Sequence, residues 1–195
     1  VFLSYVVMGF VDIIGVATGY IKQDFKLSDF IVQFLPMMVL LWFFVLSVPA
    51  GILQDRYGKR NMLNLGMVIQ AAGLGLPFVH YSFGMMFASF ILLGIGNTVI
   101  QVSANPLLQD VSSSEKLPSY LSTSQFIKAI ISFSGPLIAT FFAVSFGEWR
   151  LVFAVYGITS IAAAVWLSAT QITESKPDRK PASFSSCFGL LGNRS

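Results

Sequence analysis

The stretch "GILQDRYGKR", Gly51 to Arg60, separates two long apolar runs and carries four charges, Asp55, Arg56, Lys59 and Arg60. The run before it, Ile31 to Leu53, has no charged residue, and neither has the run after it, Met62 to Val79. Each is close to the ~20 apolar residues that cross a bilayer as a helix. The stretch therefore reads as the polar tip joining two membrane helices. Gly51 permits close packing of helix ends, and Gly58 permits a tight turn. Asp55 is an anion that a helix N-terminus or an arginine can meet. The blander reading is an ordinary basic loop on the cytoplasmic side.

Outward from this hairpin the same pattern repeats. Candidate spans fall near Phe2–Ile21, Ile31–Leu53, Met62–Val79, Phe83–Leu108, Tyr120–Phe146 and Leu151–Thr170. The runs are continuous, without the short alternating segments of membrane strands, so helices are expected rather than a barrel. Composition agrees: the chain has 195 residues, 55% apolar and only 11% charged. Charge that sparse does not cover a water-soluble surface. The fold class expected is an all-α polytopic membrane protein of six transmembrane helices over residues 1–170, with lipid as its main partner. The net charge of +3 is scattered between apolar segments and gives no nucleic-acid footprint. Cys187 is the single cysteine, which excludes an internal disulfide. No metal or cofactor is expected.

Basic residues orient the bundle. Arg56, Lys59, Arg60, Lys116, Lys176, Arg179 and Lys180 lie on one side, against Lys22, Lys26 and Arg150 on the other. The positive-inside rule then puts both visible ends in the cytoplasm, with the cytoplasmic (inner) membrane as the location. Residues 171–195 read as a cytoplasmic linker, whose "FSSCFGLLGN" is weakly apolar and suits a short interfacial helix. The first run carries Asp12 and lacks a basic leader, unlike a signal peptide. Val1 already lies inside it, so the N-terminus reads as trimmed.

"GILQDRYGKR" matches the G-x-L-x-D-R-x-G-[RK]-[RK] loop of the major facilitator superfamily. Within it, "GFVDIIG", "DFKLSDF", "NTVIQVSANPLL" and "SQFIKAIISFSGPLIA" resemble the fucose–proton symporter family of sugar transporters. The resemblance covers nearly the whole chain but only the N-terminal half of a twelve-helix family. It implies two inverted three-helix repeats, spans one and four lining one cavity, and a missing C-terminal six-helix half, so that the chain reads as a fragment or a shortened gene. It also implies a gating element built from Gly51, Asp55, Arg56, Gly58, Lys59 and Arg60. The family places acids on helices one and four. Asp12 matches the first, whereas Gln101 stands where a glutamate is expected and does not titrate. Gln125 matches a sugar-contacting position on helix five.

The residues themselves point to the same interior. Asp12 lies about halfway along span one, where an ionisable group is costly unless it faces a cavity or a partner. Gly15 and Gly19 follow on its face, suited to close packing or to backbone access for a ligand. Asn97, Gln101 and Asn105 recur every four residues, an amide stripe on span four. Asn105-Pro106 is expected to weaken that helix. Gln125 and Lys128 share a face of span five. Lys128 is about eight residues, roughly 12 Å, from the helix end. Its charge is expected to pair with Asp12, the one acid at depth; the alternative is a lysine snorkelling into a watery vestibule. Trp149 reads as an interfacial belt residue, and Trp42 as packing.

These features favour a secondary transporter for a sugar-like, neutral, hydroxylated solute, coupled to an ion, with the proton ahead of sodium. Amides suit such a ligand because each both donates and accepts. The alternatives are an exporter of drugs or organic anions, with Lys128 as the anion contact, and a half-protein that folds without transporting. His80 is the single histidine, and no nucleophile–base set is present, so an enzyme is not expected.

Overall fold

The computed structural model describes residues 1–172 and Glu174; the interfacial helix expected in the tail lies outside the described residues. Six helical segments are long and apolar enough to cross a membrane: Phe2–Asp24, Asp29–Tyr57, Lys59–Val79, Phe83–Val111, Leu117–Phe146 and Leu151–Ala169. Among the described residues there is no strand. Span one is divided into α1 (Phe2–Gly9), a 3₁₀ turn (Phe10–Ile13) and α2 (Ile14–Asp24). Span two is a short α3 (Asp29–Val32) leading into α4 (Phe34–Tyr57). The remaining spans are α5 (Lys59–Val79), α6 (Phe83–Val111), α7 (Leu117–Phe146) and α8 (Leu151–Ala169).

Local chemistry sets the ends. Ser28 and Ser82 cap α3 and α6 by accepting the main-chain N–H of Ile31 and Met85. Pro118 sits in the first turn of α7, where its missing N–H costs nothing, and Gly147, at φ 69°, closes that helix in a left-handed conformation. Two boundaries differ from the sequence expectation. The charged stretch between spans two and three is almost entirely helical, because α4 continues to Tyr57 and α5 begins at Lys59. Only Gly58, at φ 88°, is non-helical, and its N–H closes the last turn of α4 on the Gln54 carbonyl at 2.9 Å. The weakening expected at Asn105-Pro106 is also not seen; α6 runs on to Val111. Pro106 removes one N–H from the ladder, a loss that membrane helices tolerate.

The break in span one is braced from a neighbouring helix. The Val7 carbonyl accepts the Phe10 N–H in the 3₁₀ register. It also accepts 2.7 Å from Nε2 of Gln70, a fully buried side chain on α5. Phe10, inside the turn, stacks on Tyr156 of α8 with centroids 3.9 Å apart. α5 in turn is held against α6 by close backbone approach. A Cβ placed on Gly96 would lie 2.7 Å from the Gln70 nitrogen and 2.8 Å from the Gly66 carbonyl. Ser89 adds a hydrogen bond from α6 to the Gly73 carbonyl at 2.7 Å. Spans two and five are different: Phe44 is 83% and Val144 81% exposed, and both helices leave most of their apolar surface uncovered by this chain.

The end of the bundle away from Gly58 is closed around Asp24. Its Oδ2 accepts from the Tyr81 hydroxyl at 2.5 Å and from Trp149 Nε1 at 2.9 Å. Trp149 is buried and stacks on Tyr20, so it is a packing and hydrogen-bonding residue rather than the belt residue expected. Arg150 lies 3.9 Å over the Tyr81 ring and forks onto Glu148. Those hydrogen bonds hold the Glu148 carboxyl below its ordinary range, while burial pushes the Tyr81 phenol up.

The glycine contact is testable against a neighbour with room to spare. Gly96→Val should destabilise the bundle by about 1–3 kcal/mol through overpacking. Gly75→Ala, where an added Cβ meets nothing within 4 Å, should be close to neutral. Melting temperatures of the two variants in one detergent check this.

Candidate functional site

Spans one, two and four enclose a groove of about 470 Å³. Its polar side is made by Asp12 from the 3₁₀ turn and by Asn97 and Gln101 from α6. Facing them is an apolar wall of Pro36, Val39, Leu40 and Phe43 from span two. Asp12 and Gln101 keep exposure toward the opening, while Asn97 is 5% exposed and its Oδ1 is buried without a hydrogen-bond partner. Gly15 lines the same groove and has nothing within 4 Å of its Cβ position, as has Gly19. Among the described residues neither glycine is closely packed. The backbone of span one is bare beside Asp12.

Not every candidate lies there. Asn105, the third amide of the stripe, is engaged by the Tyr5 hydroxyl, which donates to its Oδ1 at 2.6 Å. It links α6 to α1 instead of facing the groove. Gln125 is exposed on α7 and does not line the groove.

The expected Asp12–Lys128 ion pair is not formed. Asp12 Oδ2 is instead hydrogen-bonded to Ser132 Oγ, one turn along α7. Among the described residues no acid lies within 4 Å of the Lys128 ammonium, whose residue is half-buried. The cause is how α7 seats on span one. A Cβ on Gly9 would stand 2.8 Å from Ile131 Cγ2 and 3.1 Å from the Lys128 carbonyl, so main chain and Ile131 occupy the close contact. Ser132 carried no charge signal and was invisible as a partner in the sequence.

At the Gly58 end a second constellation forms. Lys59 Nζ pairs with Asp110 Oδ2 of α6 at 2.6 Å, with the two side chains 20% and 8% exposed. The N-terminus of α5 is capped by the Glu174 carboxylate, which accepts the N–H of Lys59 at 2.7 Å and of Arg60 at 2.9 Å. The Arg60 guanidinium donates to the Leu167 and Ser168 carbonyls in the last turn of α8, at 3.1 and 2.6 Å. Both charges meet the helix ends whose dipoles favour them. Asp55 was expected to meet a helix N-terminus or an arginine, but Glu174 fills the first role and, among the described residues, no basic side chain pairs with Asp55. Arg56 is exposed. A Cβ placed on Gly51 would meet Val102 Cγ1 at 3.9 Å, an ordinary contact, so no close approach there requires a glycine. Asp110 follows span four together with Glu115, and Glu174 follows span six together with Asp178, so nothing in the sequence singled them out as such specific partners.

The described residues thus form a polytopic bundle of six helices long and apolar enough to cross a membrane, with an acid-and-amide groove beside a broken helix. The sequence model of the Major Facilitator Superfamily matches residues 1–194, and the chain belongs to that family of membrane transporters. It is 26% identical over 106 residues to the glucose/galactose transporter of Brucella abortus biovar 1 (strain 9-941), covering 53% of this chain and 26% of that protein. It is 27% identical over 175 residues to the tetracenomycin C resistance and export protein of Streptomyces glaucescens, covering 88% of this chain and 32% of that protein. The matched chain thus spans about a quarter to a third of the length of these curated relatives.

The Lys59–Asp110 pair yields a stability test. Asp110→Ala should leave the ammonium poorly compensated and cost about 1–3 kcal/mol, less than the ~3–5 kcal/mol of a fully buried broken pair. Lys59→Met combined with Asp110→Leu should recover most of the loss, as read from chemical denaturation or thermal melting in detergent.

Proposed function

We propose that this chain is the N-terminal bundle of a secondary active transporter for a sugar or a similar neutral, hydroxylated solute. It works by alternating access with a C-terminal six-helix partner half. The observation that carries the reading is the groove: one carboxylate and two amides on one side, an apolar wall on the other. Amides offer both donors and acceptors to hydroxyl groups, and an apolar face suits the C–H face of a sugar ring. The likeness to a glucose/galactose transporter supports the substrate class. Asp12 is the coupling residue in this reading, with the proton preferred to sodium. Asn97 and Gln101 contact the solute, and Gln125 and Lys128 meet it from span five when the second half closes the cavity. Asn105 serves the site indirectly, by seating α1 on α6. The bundle lies in the inner membrane with both visible ends cytoplasmic.

A second reading, export of a drug or organic anion, is favoured by one observation. The likeness to the tetracenomycin C exporter extends over 88% of this chain. Lys128, with no acid within 4 Å among the described residues, is then the anion contact. Liposomes containing the protein as its gene encodes it separate the two. Uptake of radiolabelled D-galactose or D-glucose driven by a proton gradient supports the sugar symporter. Efflux of an aromatic anion without sugar uptake supports the exporter.

Two variants extend the test. Asp12→Asn should reduce gradient-driven sugar uptake roughly 5- to 150-fold, the usual span of a coupling free energy of about 1–3 kcal/mol. A sodium gradient that drives uptake as well as a proton gradient would refute proton coupling. Asp55→Ala, at the Gly58 end of α4, should slow turnover and leave equilibrium substrate affinity largely intact, as expected of a gating residue. Equilibrium binding measured beside initial uptake rates distinguishes this from a binding defect.

A further inference from the structure

The contact that replaces the expected ion pair has a property of its own. Ser132 Oγ lies within hydrogen-bond reach of Asp12 Oδ2, and 2.9 Å from the main-chain carbonyl of Lys128. A serine hydroxyl has one hydrogen, and a main-chain carbonyl only accepts. When Ser132 donates to the Lys128 carbonyl, its contact with Asp12 contains no hydrogen unless Asp12 supplies one. With an ionised Asp12 that one hydrogen is shared between two acceptors, whereas a neutral carboxylic acid, donating from Oδ2 to Oγ, gives each contact a hydrogen of its own. An ionised carboxylate only accepts, so it competes for the Ser132 hydrogen and weakens the side-chain bond to the Lys128 carbonyl.

We propose that Ser132 is a positioning residue for proton coupling, the group through which α7 registers whether Asp12 carries a proton. The proposal rests on the reading of Asp12 as the coupling residue. Its mechanical logic follows from the packing. Span one at the 3₁₀ turn is braced by Gln70 and is the fixed partner, whereas α7 is sparsely buried by this chain. Exchanging one donor for another at Ser132 therefore acts on the helix that has freedom to respond.

The neighbours leave Ser132 as the group in direct contact. α1 contributes Tyr5, which is committed to Asn105. α8 contributes Tyr156, whose ring stacks on Phe10. The charges of α2 and α6, Lys22, Asp24 and Asp110, sit in their end turns, as do Asp55 and Arg56 of α4. On α7 itself Lys128 is one turn away and forms no ion pair with Asp12 within 4 Å.

Infrared difference spectroscopy between acidic and alkaline pH tests this on the protein as its gene encodes it, in liposomes. Wild type should show a carboxylic-acid carbonyl band at acidic pH that disappears in Asp12→Asn. In Ser132→Ala that band should shift in frequency, because the acid loses its acceptor, and Ser132→Thr should restore the original position. Ser132 is half-buried, so the alanine variant should keep the wild-type helical circular dichroism. An Asp12 band at the same frequency in wild type and Ser132→Ala overturns the proposal. So does the lack of any Asp12 acid band at every pH where the protein stays folded. No sugar has to move for this readout, so a failure of the transport reading shows separately, as absent uptake with the band behaviour intact.

Discussion

Inside a bilayer no water satisfies a free backbone group, and at the break in span one Gln70 adds a second hydrogen bond to a carbonyl that the 3₁₀ turn already uses. The Val7 carbonyl takes a side-chain hydrogen bond at 2.7 Å where the α-helical ladder gives way to a 3₁₀ turn. Everything at the groove depends on this brace. For Gln70 to reach Val7, α5 must lie against span one, and α5 is set there by its close approach to α6 at Gly66 and Gly96. The same α6 carries Asn97 and Gln101 to the groove. One packing arrangement thus exposes Asp12 at the turn and aligns the amides that accompany it.

The two ends of the bundle are closed by different physics. At the Gly58 end, charges meet opposite charges and helix termini: Lys59 with Asp110, Glu174 with the start of α5, Arg60 with the end of α8. At the other end, aromatic faces and one carboxylate do the closing, with Asp24 gathering Tyr81 and Trp149. Between them the middle of the bundle stays open on the side of spans two and five. The ends tie spans one, three, four and six into one body, while spans two and five offer apolar surface to whatever covers them.

Six apolar helices, the polar hairpin at Gly58 and the family were legible in the sequence because they depend on local quantities. Run length, the charge gaps between runs and the residues of one short motif carry them. The acid and amides of the groove were legible too, since a four-residue spacing on span four puts Asn97 and Gln101 on one face, and Asp12 is conspicuous by its cost in lipid. What each polar residue touches was not legible. Asn105 shares the spacing of the groove amides, yet Tyr5, one hundred positions away, claims it. Lys128 was matched to Asp12 because charge was the only signal available. The seating of α7 on Gly9 put Ser132 in that place instead. Nothing around Phe10–Ile13 marked the broken helix, and the residue that braces it lies on another span. By itself the sequence determined how many times the chain crosses and which residues are too polar for lipid. Partnership was decided only in the tertiary structure, since hydrogen bonds and ion pairs are satisfied across helices whose relative seating comes from side-chain volume and glycine contacts far apart in the chain.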